Sequence, residues 1–248
     1  MAPDMGMAVE TVRGLVYGPS GKQLDVYRPA RASGPAPTVL LWHGIGPDER
    51  DVLEPLARTA AEGGLLVLVP DWRSDAADGG RAHLLESLTF ARKEAGGLGG
   101  DGEWCVLAGW SAGAGAALGV ALRPEIADGW RPRAVVGVAG RYDLPARTTG
   151  TAPLADLAAG RDPGVLVHLV HGSRDAVVDA HHSRDLAETL RAAGHAVTLQ
   201  EPETDHAGVI MTEYDPAADR CVPTAAEHAV RAGRLVAGLL AEAAGGAA

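Results

Sequence analysis

Cysteine, basic charge, long apolar runs and serine are all scarce in this sequence. The two cysteines, Cys105 and Cys221, are too few and too far apart for a disulfide framework or a cysteine-based zinc site. Cys105 lies inside an apolar run and reads as a buried residue. Lysine and arginine number 22 against 32 aspartates and glutamates, a net charge of -10. Nucleic acid and anionic membrane surfaces both require a positive footprint, so neither is an expected partner. No apolar run approaches the ~20 residues of a membrane-spanning helix. The first ten residues, "MAPDMGMAVE", hold no basic stretch followed by an apolar one, and a cytoplasmic location is the expectation. Internal repeats, blocks of like charge and dividing linkers are also missing, so residues 1–248 are expected to form one domain.

What the chain does contain is apolar residue enough, 46% of its 248 positions, to bury a full core. Thr38–Gly44, Leu65–Trp72, Trp104–Trp110, Ala134–Gly140 and Val165–Gly172 are apolar nearly throughout, as strands buried on both faces of a parallel sheet are. A further strand is expected at Ala196–Glu201. Between these runs, Val52, Leu53, Leu56 and Ala60 share one helical face. So do Leu84, Leu85, Leu88 and Ala91, then Leu186, Leu190 and Ala193, and finally Val230, Val236, Leu239 and Leu240. Asp179 is placed to cap the helix beginning near Ala180. Ahead of all this, "ETVRGLVYG" and "KQLDVYRP" flank the turn residues "PSG" and predict an antiparallel hairpin. The fold class is therefore α/β, a doubly wound and mostly parallel sheet with an N-terminal antiparallel hairpin. Only the extreme C-terminus, "AEAAGGAA", reads as frayed.

One of the seven serines stands out by its setting. "GWSAG" places Ser111 between Gly109 and Gly113, after an apolar strand and before the small-residue helix "AGAGAALGVAL". Seven serines among 33 glycines would yield such a pattern by chance about one time in ten, so the strand–turn–helix context carries the weight. The alternative is a glycine-rich turn of no catalytic significance. A tight turn there would expose the hydroxyl at the C-terminal edge of the sheet, where open α/β folds bind ligands. The helix N-terminus behind it favours negative charge.

A serine nucleophile needs a base, and the base an orienting acid. Asp175 lies just beyond the strand "VLVHLVHG", and His206 lies in the loop after the next strand. The chain order is thus Ser111, Asp175, His206. Among competing histidines, His168 lies within a strand, and His171 precedes a turn glycine where local hydrogen bonding suits it. His83, His181, His182, His195 and His228 fall on helices or helix ends. Asp205 adjoins His206 and would point away from it; Asp179 has its capping role. For the oxyanion, the turn His43-Gly44-Ile45-Gly46 offers the N–H of Ile45, with Gly44 beside it, to join that of Ala112. His43 itself is expected to brace that loop.

Several stretches resemble the α/β-hydrolase superfamily over nearly the whole chain, and within it the esterase/lipase branch of carboxylesterases and kynurenine formamidase-like enzymes. They are "LDVYRP" (24–29), "HGIG" (43–46), "VPDWR" (69–73), "GWSAG" (109–113), "GRYDL" (140–144), "HGSRDAVV" (171–178) and "DHAG" (205–208). The resemblance implies a serine hydrolase acting on a small-molecule ester, with Ser111, His206 and Asp175 as triad and neither metal nor cofactor. Relatives usually carry His-Gly-Gly where this chain has Ile45, which keeps the backbone donor but adds a branched side chain beside it. Trp42, Trp110 and Tyr142, near the same strand ends, are the candidate pocket residues. Only about 25 residues separate Gly140 from Val165, so a helical lid is small or absent. The polar stretch between His206 and the last helix is either a surface excursion or a cover over the site. An amide, thioester or lactone hydrolase, an acyl-transferring or cyclising tailoring enzyme, and a non-catalytic binding protein remain alternatives on the same fold.

Overall fold

Alternate residues of the apolar strands face opposite ways, and that alternation builds two cores from one sheet. The computed structural model describes residues 7–31 and 34–245. The hairpin β1 (Val9–Tyr17) and β2 (Lys22–Pro29) leads into β3 (Ala36–Trp42), α1 (Glu54–Glu62), β4 (Leu66–Pro70) and α2 (Arg81–Glu94). Then follow β5 (Gly100–Trp110), α3 (Ala112–Leu122), β6 (Ala134–Val138), α4 (Pro153–Ala158), β7 (Leu166–Val170), α5 (His181–Ala192) and β8 (Val197–Gln200). A small hairpin, β9 (Thr212–Asp215) and β10 (Arg220–Pro223), precedes the closing helix α6 (Glu227–Ala243). The eight-stranded sheet has the order β1-β2-β4-β3-β5-β6-β7-β8. β2 runs antiparallel to both β1 and β4, and every pairing from β4 across to β8 is parallel.

On one face, Leu40, Trp42, Leu68, Leu107, Val135 and Leu169 pack with Leu84, Leu88, Leu118 and Leu186 from α2, α3 and α5. On the other, Val39, Leu41, Val67, Val106, Val136 and Val170 meet Leu56 of α1 and Val236 and Leu240 of α6. Burial on both faces is why these strands read as apolar throughout instead of alternating with polar residues. β5 starts at Gly100, ahead of the expected Trp104, because Gly100 and Asp101 pair with Ala36 and Pro37 across a register shift. Ala193 lies just beyond α5 as its cap and is exposed, so it does not extend that helix's apolar face. The terminal "AEAAGGAA" is helical through Ala243, and its residues 246–248 lie outside the described residues. Both cysteines are free thiols, and burial pushes that of Cys105 up to about 12. Among the described residues, no helix is long and apolar enough to cross a membrane.

Candidate active site

Ser111 occupies a backbone conformation that side chains rarely adopt. Its φ of 55° and ψ of -119° turn the chain from β5 straight into α3. A positive φ at a non-glycine residue costs about 1–3 kcal/mol and persists only where the surroundings enforce it. Here the enforcement is close packing. A Cβ on Gly109 would lie 2.1 Å from the Gly113 carbonyl carbon, and one on Gly113 would lie 2.5 Å from the Trp42 carbonyl oxygen. The Ser111 N–H is tied to the Val138 carbonyl at 2.8 Å. Ala112 is the first residue of α3, so its N–H has no carbonyl to bond within the helix and is available to a ligand.

The loop after β3 is held from behind. His43 is fully buried; its Nδ1 meets the Gly44 carbonyl at 3.0 Å, and the Trp72 N–H reaches its Nε2 at 3.1 Å. A carbonyl only accepts and a backbone N–H only donates, so the proton sits on Nδ1 and the ring is neutral. Burial lowers the imidazole to about 3. Trp72 stacks on it at 5.4 Å and donates from Nε1 to the His43 carbonyl at 3.2 Å. Two of the stretches that carry the resemblance thereby acquire a physical role. Asp25 of "LDVYRP" and Asp71 of "VPDWR" both bind Arg50, which pins the segment following Ile45 and Gly46. A histidine that must stay neutral when folded but titrates near 6.5 when unfolded contributes stability above pH 6.5 that fades as pH falls toward 3. His43→Gln offers the same donor and acceptor without titrating. The wild type is expected to lose about 2–4 kcal/mol more than this variant between pH 7 and 4. Urea midpoints at the two pH values measure the difference, and parallel losses would refute it.

Asp175 and His206 come together at the C-terminal ends of β7 and β8. His206 Nδ1 lies 2.7 Å from Asp175 Oδ2. Asp175 Oδ1 accepts the N–H groups of Val177 and Val178 at 2.9 and 2.8 Å. The carboxylate is wholly buried, which alone would raise its pKa. Hydrogen bonds from His171 and His206 and from the Val178 N–H outweigh burial and hold it well below the usual carboxylate range. With Nδ1 donating to an ionised carboxylate, His206 keeps the lone pair on Nε2. Trp110 secures the other side of the ring: its centroid is 5.0 Å from that of His206, and its Nε1 donates to the His206 carbonyl at 2.9 Å. Neither Ser111 Oγ nor His206 Nε2 has a hydrogen-bond partner among the described residues, so the structure does not join these two atoms directly. Such contacts commonly tighten only once substrate is bound.

His171 takes a larger part than its sequence position announced. Its Nε2 faces the Val178 carbonyl at 2.8 Å and Asp175 Oδ2 at 3.3 Å, and its Nδ1 meets Ser183 Oγ at 2.7 Å. Nε2 therefore carries the proton and offers Asp175 a second donor. The spacing His171-x-x-x-Asp175 across a strand end was the available signal. Asp179 accepts the His181 N–H at 2.8 Å, and Asp205 accepts that of Gly208 at 2.7 Å, so both competing acids are engaged elsewhere.

Ser111, Ala112 and Ile45 line one cavity of about 280 Å³, walled on its far sides by Leu144 to Arg147 and by Val177 and Val178. The short segment between β6 and β7 thus supplies a wall in place of a helical lid. None of the three expected pocket residues lines this cavity. Trp42 is fully buried with its Nε1 on Ser87 Oγ at 2.9 Å, because it shares the inner face of β3 with Leu40. Tyr142 is fully buried and folds back over Gly137 and Gly140, whose missing side chains leave room for its ring. Trp110 braces His206 and does not line the cavity. The stretch 207–226 forms a 3-10 turn and the β9–β10 hairpin, anchored by Arg220 on Asp51 at 2.6 Å, and no residue of it lines the cavity. Among the described residues, no group of three or more His, Cys, Asp or Glu could hold a metal ion.

No family model and no curated protein matches the sequence. Solved structures do match the fold. A candidate dienelactone hydrolase from Klebsiella pneumoniae is 20% identical, with 95% of this chain and 99% of that one covered at a TM-score of 0.68. A carboxyl esterase from the fungus Tuber melanosporum is 17% identical, with 98% and 88% covered at a TM-score of 0.66. A thermostable esterase from Pseudomonas putida is 16% identical, with 96% and 82% covered at 0.65. The chain has the α/β-hydrolase fold.

Proposed function

We propose that this protein is a serine hydrolase that cleaves a small or medium carboxylic ester through an acyl-enzyme. The observation that carries the reading is the Asp175–His206 pair at 2.7 Å, its imidazole packed on Trp110, the residue immediately before a serine held at positive φ on the N-terminus of α3. Ser111 Oγ attacks the ester carbonyl carbon while His206 Nε2 takes its proton. The N–H groups of Ala112 and Ile45, with Gly44 beside them, receive the developing oxyanion, each such donor being worth about 3 kcal/mol. Collapse of the tetrahedral intermediate breaks the ester C–O bond, and His206 returns the proton to the leaving alkoxide. Water, deprotonated by the same nitrogen, then releases the acid and restores Ser111. Esters are the favoured bond class because proteins named as esterases share the fold over most of both chains. A fluorophosphonate probe and a panel of p-nitrophenyl esters test the proposal together. Labelling at Ser111 with turnover of short esters is expected; absence of both would refute it.

Ile45 sets the acyl range in this reading. It lines the cavity next to Ser111, and a β-branched side chain is stiff about its first torsion. A cavity of about 280 Å³ bordered by that side chain suits short acyl groups. Acetyl to butyryl esters are expected to surpass octanoyl esters in kcat/KM. Ile45→Gly should widen the range with some loss of rate, as the donor loop loosens. Equal or better turnover of octanoyl esters by the wild type would rule this out.

A further inference from the structure

We infer that the substrate carries a free carboxylate and that Arg147 binds it at the cavity containing Ser111. The inference rests on the reading of Ser111 as the nucleophile and adds the charge of the molecule it attacks. In a chain of net charge -10, the only charged residues lining this cavity among the described residues are two arginines, Arg141 and Arg147. Arg141 already has its counter-ion: Asp143 meets its Nε and Nη2 at 3.1 and 2.7 Å. Arg147 has none. The residue is half-buried and, among the described residues, its guanidinium makes no hydrogen bond or ion pair.

Its position compounds the deficit. Nη1 lies against Gly79, where an added Cβ would approach it to 3.2 Å, directly ahead of α2. Asp78, the acid on that segment, is occupied in capping α2 through the Gly80 and Ala82 N–H groups at 3.0 and 2.7 Å. An unanswered cation beside a helix N-terminus, in a cavity whose apolar lining includes the partly exposed Ile45, Leu144 and Val177, gives that cavity a positive field. A guanidinium offers a planar fork of donors that matches a carboxylate in two parallel hydrogen bonds. An ester bearing a carboxylate elsewhere in the molecule would satisfy Arg147 while its carbonyl sits at Ser111. Hydrolysis of such a hemiester adds water across the C–O bond and releases a dicarboxylate and an alcohol.

The test compares p-nitrophenyl hemiglutarate with p-nitrophenyl valerate. The wild type is expected to favour the hemiester by about 10- to 100-fold in kcat/KM, mainly through KM, the range typical of a hydrogen bond to a charged group. Arg147→Gln should bring that ratio near one, and Arg147→Lys should retain part of it. Arg191→Gln, on the exposed end of α5, should leave it intact. Glutarate binding to Ser111→Ala, followed by calorimetry, should vanish when Arg147→Gln is added. A wild type that shows no preference between the esters would overturn the inference, as would equal glutarate binding with and without Arg147. Cleavage of neither ester, together with Arg147-dependent glutarate binding, would uphold the anion site and refute the hydrolase reading instead.

Discussion

Ser111→Ala is expected to abolish ester turnover while leaving the protein folded. Alanine keeps the Cβ, so the strained φ of 55° is no worse populated than with serine, and the clashes that forbid side chains at Gly109 and Gly113 are untouched. What disappears is the attacking oxygen. Loss of the nucleophile in a serine protease lowers kcat by about 10⁶-fold, with the residue of catalysis coming from the oxyanion donors and binding. The measurements are steady-state hydrolysis of a short p-nitrophenyl ester, fluorophosphonate labelling and a thermal melt. A variant that melts like the wild type yet retains more than about a tenth of its activity would remove Ser111 from the mechanism.

Asp175→Asn should be nearly as damaging, and the geometry says why. The Oδ1 position accepts two backbone N–H groups, from Val177 and Val178, so the amide oxygen must settle there. The amide NH₂ is then forced toward His206 Nδ1 and His171 Nε2. Facing a donor, His206 must carry its proton on Nε2, which is the nitrogen that should receive one from Ser111. The wrong tautomer is worth a loss on the order of 10⁴ in kcat in the protease template. The new NH₂ also confronts the N–H of His171, so a lower melting temperature should accompany the loss of rate. Asp179→Asn and Asp205→Asn act on turn N–H groups alone and should stay within a few-fold of wild-type rate. If either were the damaging change and Asp175→Asn were mild, another carboxylate would have to orient the base.

Much of this arrangement was legible in the order of residues. Strands buried on both faces announce themselves as unbroken apolar runs, and the turn residues Pro19 to Gly21 mark the first hairpin. Strand ends were less legible, as β5 shows, because its first residues are held by pairing with β3 across a shifted register. Side-chain destinations near strand ends were the least legible. Trp42 and Trp110 end neighbouring strands and look equivalent in sequence, yet one is sealed under α2 and the other supports His206. In a sheet covered on both sides, alternation separates the two faces without saying which ends in a pocket. The β9–β10 hairpin escaped notice because its strands are short and polar, with no apolar face to betray them.

By itself, the sequence determined the α/β class, the serine turn and the chain order of serine, acid and histidine, because each rests on local rules: strand periodicity, glycine sterics and residue chemistry. Only the tertiary structure decided that Asp175 lies 2.7 Å from His206, that His171 shares the same carboxylate, and that Arg147 lines the cavity with no counter-ion among the described residues. These depend on how loops from separate strands converge at one edge of the sheet. That convergence is fixed by packing and hydrogen bonds between residues distant in sequence, for which no local pattern is a guide.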